Sequence, residues 1–171
     1  AAYYEWISNK FKNKLFGFFL IFNFGFWSIF MIFGWEVYFD NNLNSYPVLT
    51  AYFLYGFIIF NTAIFDIFAY IIGSNFGKTY IVKEISPNKT LEGLLGGLFF
   101  SALYGYLIYK YLELSNLLMI IFVVSSFFAF IGDIYISYLK RKNGIKDTGS
   151  ILPGHGGILD RLDSHLIATP A

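Results

Sequence analysis

The chain has no cysteine, which excludes disulfides and thiolate metal sites and leaves its redox compartment unmarked. Charge is the second scarcity. Asp, Glu, Lys and Arg make up 13% of the residues, against roughly 25% in a soluble domain. There are no solenoid repeats and no low-complexity tracts beyond an apolar bias. What fills the space is apolar: 57% of residues are hydrophobic and 23% aromatic, with a mean hydropathy of +0.58. The net charge of +1 says little, because the placement of charges carries the information. In 171 residues there is room for one integral membrane domain, spanning residues 1–171, and little else.

About 20 apolar residues cross a bilayer core. Leu15–Trp35 carries no charge at all, and Tyr46–Gly73, Leu94–Tyr109 and Leu114–Gly132 complete a set of four candidate spans. The expected fold is therefore all-α, a polytopic membrane helix bundle with about four transmembrane helices. Before the first span, Ala1 to Lys14 reads as a short polar lead with Lys10, Lys12 and Lys14. A cleaved signal peptide is rejected, because Glu36, Val37 and Tyr38 follow the apolar run instead of small residues. Trp27 and Trp35 are candidate interfacial anchors. In the third span, Gly93 and Gly97 form a G-x-x-x-G pair that permits close helix contact.

Four spans place the lead, the 74–92 loop and the C-terminal stretch on one side. That side holds 11 of the 12 lysines and arginines, with only Lys110 opposite. The positive-inside rule makes it cytoplasmic. Every candidate site motif lies there too.

Those motifs are the polar residues that apolar segments do not explain. Thr62, Asp66 and Tyr70 are spaced four apart and share a helix face. Asp133, Ser137, Lys140 and Arg141 share another, with the acid inside and the bases at the exit. An acid in a membrane helix is costly unless it meets a cavity or a partner. Ser86-Pro87 reads as a helix start, with Ser86 as N-cap and Pro87 at the first helical position. Lys89 and Thr90 would then lie in a first turn suited to phosphate. Last comes Ser137–Ser164, SYLKRKNGIKDTGSILPGHGGILDRLDS, dense in bases, acids and glycines. Cations beside carboxylates suit a phosphorylated substrate held with a divalent metal. The bases alone would equally suit a tail lying on anionic lipid heads. That reading does not account for PGHGG or for the DRLD carboxylates.

The order S-x-x-K-R, K-D, P-x-H-G-G, D-R-x-D in residues 137–164 resembles the C-terminal signature of the phosphatidate cytidylyltransferases. Upstream, Asp66, Ala69, Tyr70, Gly73, Phe76, Gly77 and Lys78 match D-x-x-A-Y-x-x-G and F-G-K. SPNKTLEG resembles S-P-K-K-T-x-E-G, with Asn88 where the family has a second base. The resemblance covers roughly residues 61–168 and implies the catalytic C-terminal part of a longer multi-pass enzyme.

It implies transfer of CMP from CTP to phosphatidic acid, giving CDP-diacylglycerol and pyrophosphate. The implied partners are CTP, phosphatidic acid and the bilayer, with no nucleic acid; a homodimer is allowed. The implied cofactor is Mg²⁺, with room for a second metal ion, held by Asp133 and Asp160 converging on one site. Lys140, Arg141, Lys146 and Arg161 would clamp phosphates, and Gly156 and Gly157 would let backbone N–H groups approach them. His155 would bond a phosphate oxygen or orient Asp160, with Asp147 and Asp163 beside it. Asp66, Lys78, Ser86, Lys89, Thr90 and Glu92 would form the opposite, substrate-binding wall. His165 is read as structural. Rival readings are another CTP-using lipid enzyme (a polyprenol or phytol kinase, or an archaeal-lipid cytidylyltransferase) and a membrane transporter. Against transport, the polar groups cluster at one end of the spans.

Overall fold

The computed structural model describes residues 1–11, 13–30, 47–112, 117–149 and 157–168. Helix α1 (Ala2–Ser8) leads into α2 (Lys14–Ile29). Three long helices follow, α3 (Pro47–Phe76), α4 (Leu91–Leu112) and α5 (Leu117–Lys142), then two single turns, α6 (Leu159–Leu162) and α7 (His165–Ala168). Among the described residues there is no strand, only an isolated bridge between Tyr80 and Thr90.

Tyr55–Phe76, Leu91–Tyr111 and Met119–Lys142 are each long and apolar enough to cross a membrane, and Lys14–Ile29 is a shorter apolar helix. The expected all-helical membrane bundle is what the chain forms. Its long helices outrun the apolar stretches that announced them. α5 continues through Lys140, Arg141 and Lys142, because cations in a last turn suit the negative end of the helix dipole.

The G-x-x-x-G expectation is borne out. A Cβ on Gly93 would lie 2.6 Å from the Ala69 carbonyl oxygen, and one on Gly97 would lie 2.7 Å from the Phe65 ring. α3 therefore packs against bare backbone on α4. Gly97→Val is expected to separate the pair and to lower stability by about 1–3 kcal/mol, the usual effect of overpacking. The loss would be read as a lower melting temperature in detergent.

Deeper in the bundle, Asn61, Ser101 and Ser126 have no solvent exposure. Asn61 Nδ2 donates to the Phe122 carbonyl (2.9 Å) and to Ser126 Oγ (2.9 Å), while Ser101 Oγ donates to Asn61 Oδ1 (2.7 Å). An unpaired polar group in hydrocarbon costs several kcal/mol, so this satisfied network clamps α3, α4 and α5 in register.

The polar lead needs correcting. Ala2 and Trp6, four apart on α1, turn inward, and Phe11 follows them into the core. Trp6 and Phe11 cluster with Leu20, Ile136, Leu139, Leu159 and Leu166, joining the lead, α2, α5 and the C-terminal turns. The Trp6 ring lies directly on Gly17, where a Cβ would come within 2.2 Å of it. Lys10 and Asn13 turn the chain in left-handed conformations (φ 54° and 64°). The lysines make this segment look solvated, but its aromatic residues build the hydrophobic cluster shared with the charged end of α5.

Candidate active site

At that end, α3, the 77–90 loop and α5 enclose a cavity of about 220 Å³, lined by Asp66 and Tyr70, by Ser86, Lys89 and Thr90, and by Phe130 and Asp133. Lys89 bridges it. Its ammonium pairs with Asp133 and lies 4.6 Å from the centre of the Phe130 ring. The other Asp133 oxygen accepts a long bond from Ser137 Oγ, 3.3 Å. Asp66, Ser86, Lys89, Thr90 and Asp133, scattered in the sequence, thus meet at one cleft.

The helix start at Ser86-Pro87 is not where α4 begins. Thr90 caps it, its hydroxyl accepting the Gly93 N–H at 3.2 Å. Backbone bonds from Leu91 N to Thr79 O (2.8 Å) and from Ile81 N to Lys89 O (3.0 Å) hold residues 89–91 against 79–81. Ser86 and Pro87 consequently fall in an upstream turn, and Lys89 precedes the helix and reaches α5.

The 137–164 signature closes around a second pair. Lys140 Nζ donates to Asp160 Oδ1 at 2.9 Å. Asp160 Oδ2 accepts from Thr148 N (2.8 Å) and Gly157 N (3.0 Å) and lies 3.0 Å from Thr148 Oγ1. Burial alone would raise the Asp160 carboxyl, but Lys140 and these N–H donors outweigh it and hold the group below its usual range. Gly157 has to be glycine here, since a Cβ would sit 2.3 Å from Thr148 Oγ1. Three residues on, burial and then the charge of Asp133 push the Asp163 carboxyl up to about 7. Ser164 Oγ donates to Asp66 Oδ2 (3.5 Å), and His165 lies 3.4 Å from Thr62 Oγ1. Burial lowers the His165 pKa. The Thr62–Asp66–Tyr70 face is therefore real: Asp66 meets the last residue of the signature, Thr62 meets His165 just past it, and Asp66 and Tyr70 line the cavity.

Other expected residues lie outside the cleft. Arg141 spends its guanidinium on the carbonyls of Ile85 (3.3 Å) and Ile145 (3.1 Å). Glu92 accepts the Thr79 N–H at 3.2 Å and braces the loop. Lys78, Lys146, Asp147 and Arg161 are exposed. His155 and Gly156 lie outside the described residues.

Sequence reasoning missed Glu5 and Thr148. Glu5 is the sole acid in residues 1–35, and that isolation was the available signal. Its carboxylate is buried against the signature.

Beside the polar cavity runs an apolar groove of about 550 Å³ whose lining includes Ile81, Ile85, Ile134 and Tyr138; Leu94 and Phe130 line both spaces. Among the described residues no three His, Asp or Glu side chains converge as a ready-made metal cage. Mg²⁺ usually takes only one or two protein carboxylates and completes its shell with water and phosphate oxygens. Asp133 fits that demand, lining the cavity with lone pairs beyond the long Ser137 bond and the Lys89 pair. Asp160 can offer Oδ1 only, and only in exchange for Lys140, because Oδ2 already accepts two backbone N–H groups.

The profile of the Cytidylyltransferase family matches residues 2–171 of this chain. The phosphatidate cytidylyltransferase of Aquifex aeolicus is 43% identical over 122 residues, covering 71% of this chain and 46% of that protein. Those of Staphylococcus epidermidis and Staphylococcus aureus are 43% and 41% identical, each over 70% of this chain and 46% of the relative. The chain spans about half the length of the curated relatives it matches.

Proposed function

This chain belongs to the cytidylyltransferase family, and from that premise we propose that it supplies the catalytic part of a membrane enzyme joining CTP to phosphatidic acid. The products are CDP-diacylglycerol and pyrophosphate. The observation that carries this reading is the cleft itself, where Lys89 and Asp133 meet beside an apolar groove at the charged end of a helix bundle. A lipid phosphate needs such an amphipathic address, with polar contacts for the head and apolar walls for a chain.

The lipid phosphate oxygen attacks the α-phosphorus of CTP, that bond forms as the bond to the β-phosphate oxygen breaks, and pyrophosphate departs. A phosphate monoester has its second pKa near 6, so the nucleophile is ionised near neutral pH without a general base. The difficulty is the meeting of two polyanions, which positioning and charge neutralisation overcome. Lys89 lines the cleft for that task and Lys140 lies seven residues beyond Asp133 on α5, each now on a carboxylate it can exchange for a phosphate oxygen. A Mg²⁺ ion at Asp133, with Asp160 Oδ1 as the second protein donor, would add neutralising charge on the phosphates. The groove beside Phe130 takes an acyl chain, holding the lipid so that its phosphate faces Asp133 and Lys89.

The deciding experiment supplies membranes containing the full-length protein with labelled CTP, Mg²⁺ and phosphatidic acid. CDP-diacylglycerol and pyrophosphate are expected. Release of CDP with phosphorylation of a lipid alcohol would replace this reading with a kinase.

The cleft is proposed to face the cytoplasm, where CTP is available, in keeping with the lysines and arginines gathered on that side. The chain's lack of cysteine makes single-cysteine labelling direct. A cysteine replacing Asn143, exposed just past α5, is expected to react with an impermeant thiol reagent only after the membrane is opened. One replacing Asn41 should react from outside intact cells. The reverse pattern would overturn the orientation.

A further inference from the structure

We propose that Glu5 is a positioning residue of the transfer reaction: through Thr148 and the 157–159 backbone it sets the geometry of Asp160 and Lys140. The inference rests on the function proposed above and assigns a role to a segment that the recognised motifs do not include.

The geometry is specific. Glu5 is 2% exposed. Oε1 accepts the Ile158 N–H at 2.9 Å, and Oε2 accepts the Leu159 N–H at 2.8 Å and the Thr148 hydroxyl at 3.1 Å. The same Thr148 hydroxyl lies 3.0 Å from Asp160 Oδ2, which also takes the backbone N–H groups of Thr148 and Gly157. Two carboxylates far apart in the sequence therefore hold Thr148 and the 157–159 backbone between them. Asn9 adds a third contact, donating to the Thr148 carbonyl at 2.6 Å. The space between has no slack: a Cβ on Gly149 would lie 3.0 Å from Glu5 Oε1, and one on Gly157 would lie 2.7 Å from Oε2.

A buried carboxylate needs donors, and every partner of Glu5 is a donor. Anchoring α1 alone would not require them all to come from the signature. Thr148, which Glu5 holds, and Gly157, the neighbour of the Ile158 and Leu159 that it also holds, are the residues that orient Asp160, and Asp160 in turn fixes the Lys140 ammonium at 2.9 Å. α1 is itself held by Trp6 on Gly17 and by the core beneath, so the brace transmits the position of a rigid element to the site.

The test uses the full-length protein in membranes or detergent, with Glu5→Gln, Glu5→Asp and Thr148→Val. Glutamine keeps the volume but turns an NH₂ toward a backbone N–H. Loss of a group that orients a reacting residue typically lowers activity about ten- to a hundredfold. That fall is expected in kcat for Glu5→Gln, with the KM for CTP little changed because Glu5 touches no substrate. Glu5→Asp, one methylene shorter, should restore part of kcat. Thr148→Val combined with Glu5→Gln should be little worse than the poorer single variant, since both break one chain of contacts.

A second readout does not depend on turnover: amide hydrogen exchange over residues 148–162. In Glu5→Gln it should quicken at Ile158 and Leu159 while the membrane helices stay protected. Unchanged exchange there would overturn the contact. Faster exchange with unchanged kcat would overturn the positioning role. Failure of both Glu5→Gln and Thr148→Val to yield folded protein would make the carboxylate a fold determinant and would also overturn it. If wild-type protein does not use CTP, the reaction proposed above fails while the exchange result still judges the brace.

Discussion

Asp160→Asn is expected to lower turnover by roughly a hundred- to a few thousandfold and to lower the melting temperature as well, because removing one partner of a buried ion pair costs about 3–5 kcal/mol. The asparagine keeps the shape of the side chain but cannot serve its surroundings. Lys140, 11% exposed at its side chain, loses its counter-charge. Thr148 N and Gly157 N both donate to Asp160 Oδ2, and an NH₂ there would face donors with a donor. If Oδ1 turned inward instead, Lys140 would meet the NH₂. No rotamer satisfies both sides, so the signature should loosen and the lysine should lose its fixed position. Turnover with CTP and phosphatidic acid, together with melting in detergent, checks both halves. An Asp160→Asn protein that melted like wild type would mean that the Lys140 pair contributes nothing to holding the loop.

Asp133→Asn is expected to separate activity from stability. Asp133 is more open than Asp160 (side chain 28% exposed) and, among the described residues, bonds Lys89 and Ser137. Its removal should leave the bundle folded. The charge balance of the cleft changes at once, since Lys89 loses its partner and the site loses its open carboxylate. A lost charge-assisted contact is worth about 1.5–3 kcal/mol, roughly ten- to a hundredfold in rate, before any effect on a bound cation. Turnover should therefore fall by at least that factor at unchanged melting temperature. Lys89→Ala should fall by a similar factor, chiefly in kcat/KM for the phosphorylated substrates. Because the two residues touch, the double variant should lose less than the product of the single losses. Full additivity would place them in separate roles.

The chain's own pattern announced the membrane bundle, the close α3–α4 contact and the residues of the cleft, each for a local reason. Span length and scarcity of charge follow from the solvent the helices meet, and the G-x-x-x-G spacing follows from the helical repeat. Asp66 and Asp133 stood out because an acid in an apolar run is costly wherever it sits. Tertiary structure decided how the charges pair. Lys89 could have served as the first-turn cation of a helix begun at Ser86, yet the backbone pairing of 79–81 with 89–91 moved the start to Leu91 and sent the lysine across to Asp133. Asp160 and Lys140 are 20 residues apart, and no periodicity links a helix to the far side of a glycine loop. Arg141, adjacent to Lys140 and equally basic, turned instead to the carbonyls of Ile85 and Ile145. Least legible was the lead. Its lysines advertise solvent, but Trp6, Phe11 and Glu5 are buried, because beside Gly17 and Leu20 the partners of the two rings, and those of the Glu5 carboxylate, lie more than 100 residues away, in α5 and in the C-terminal stretch. Such a partner can be supplied only by the folded chain.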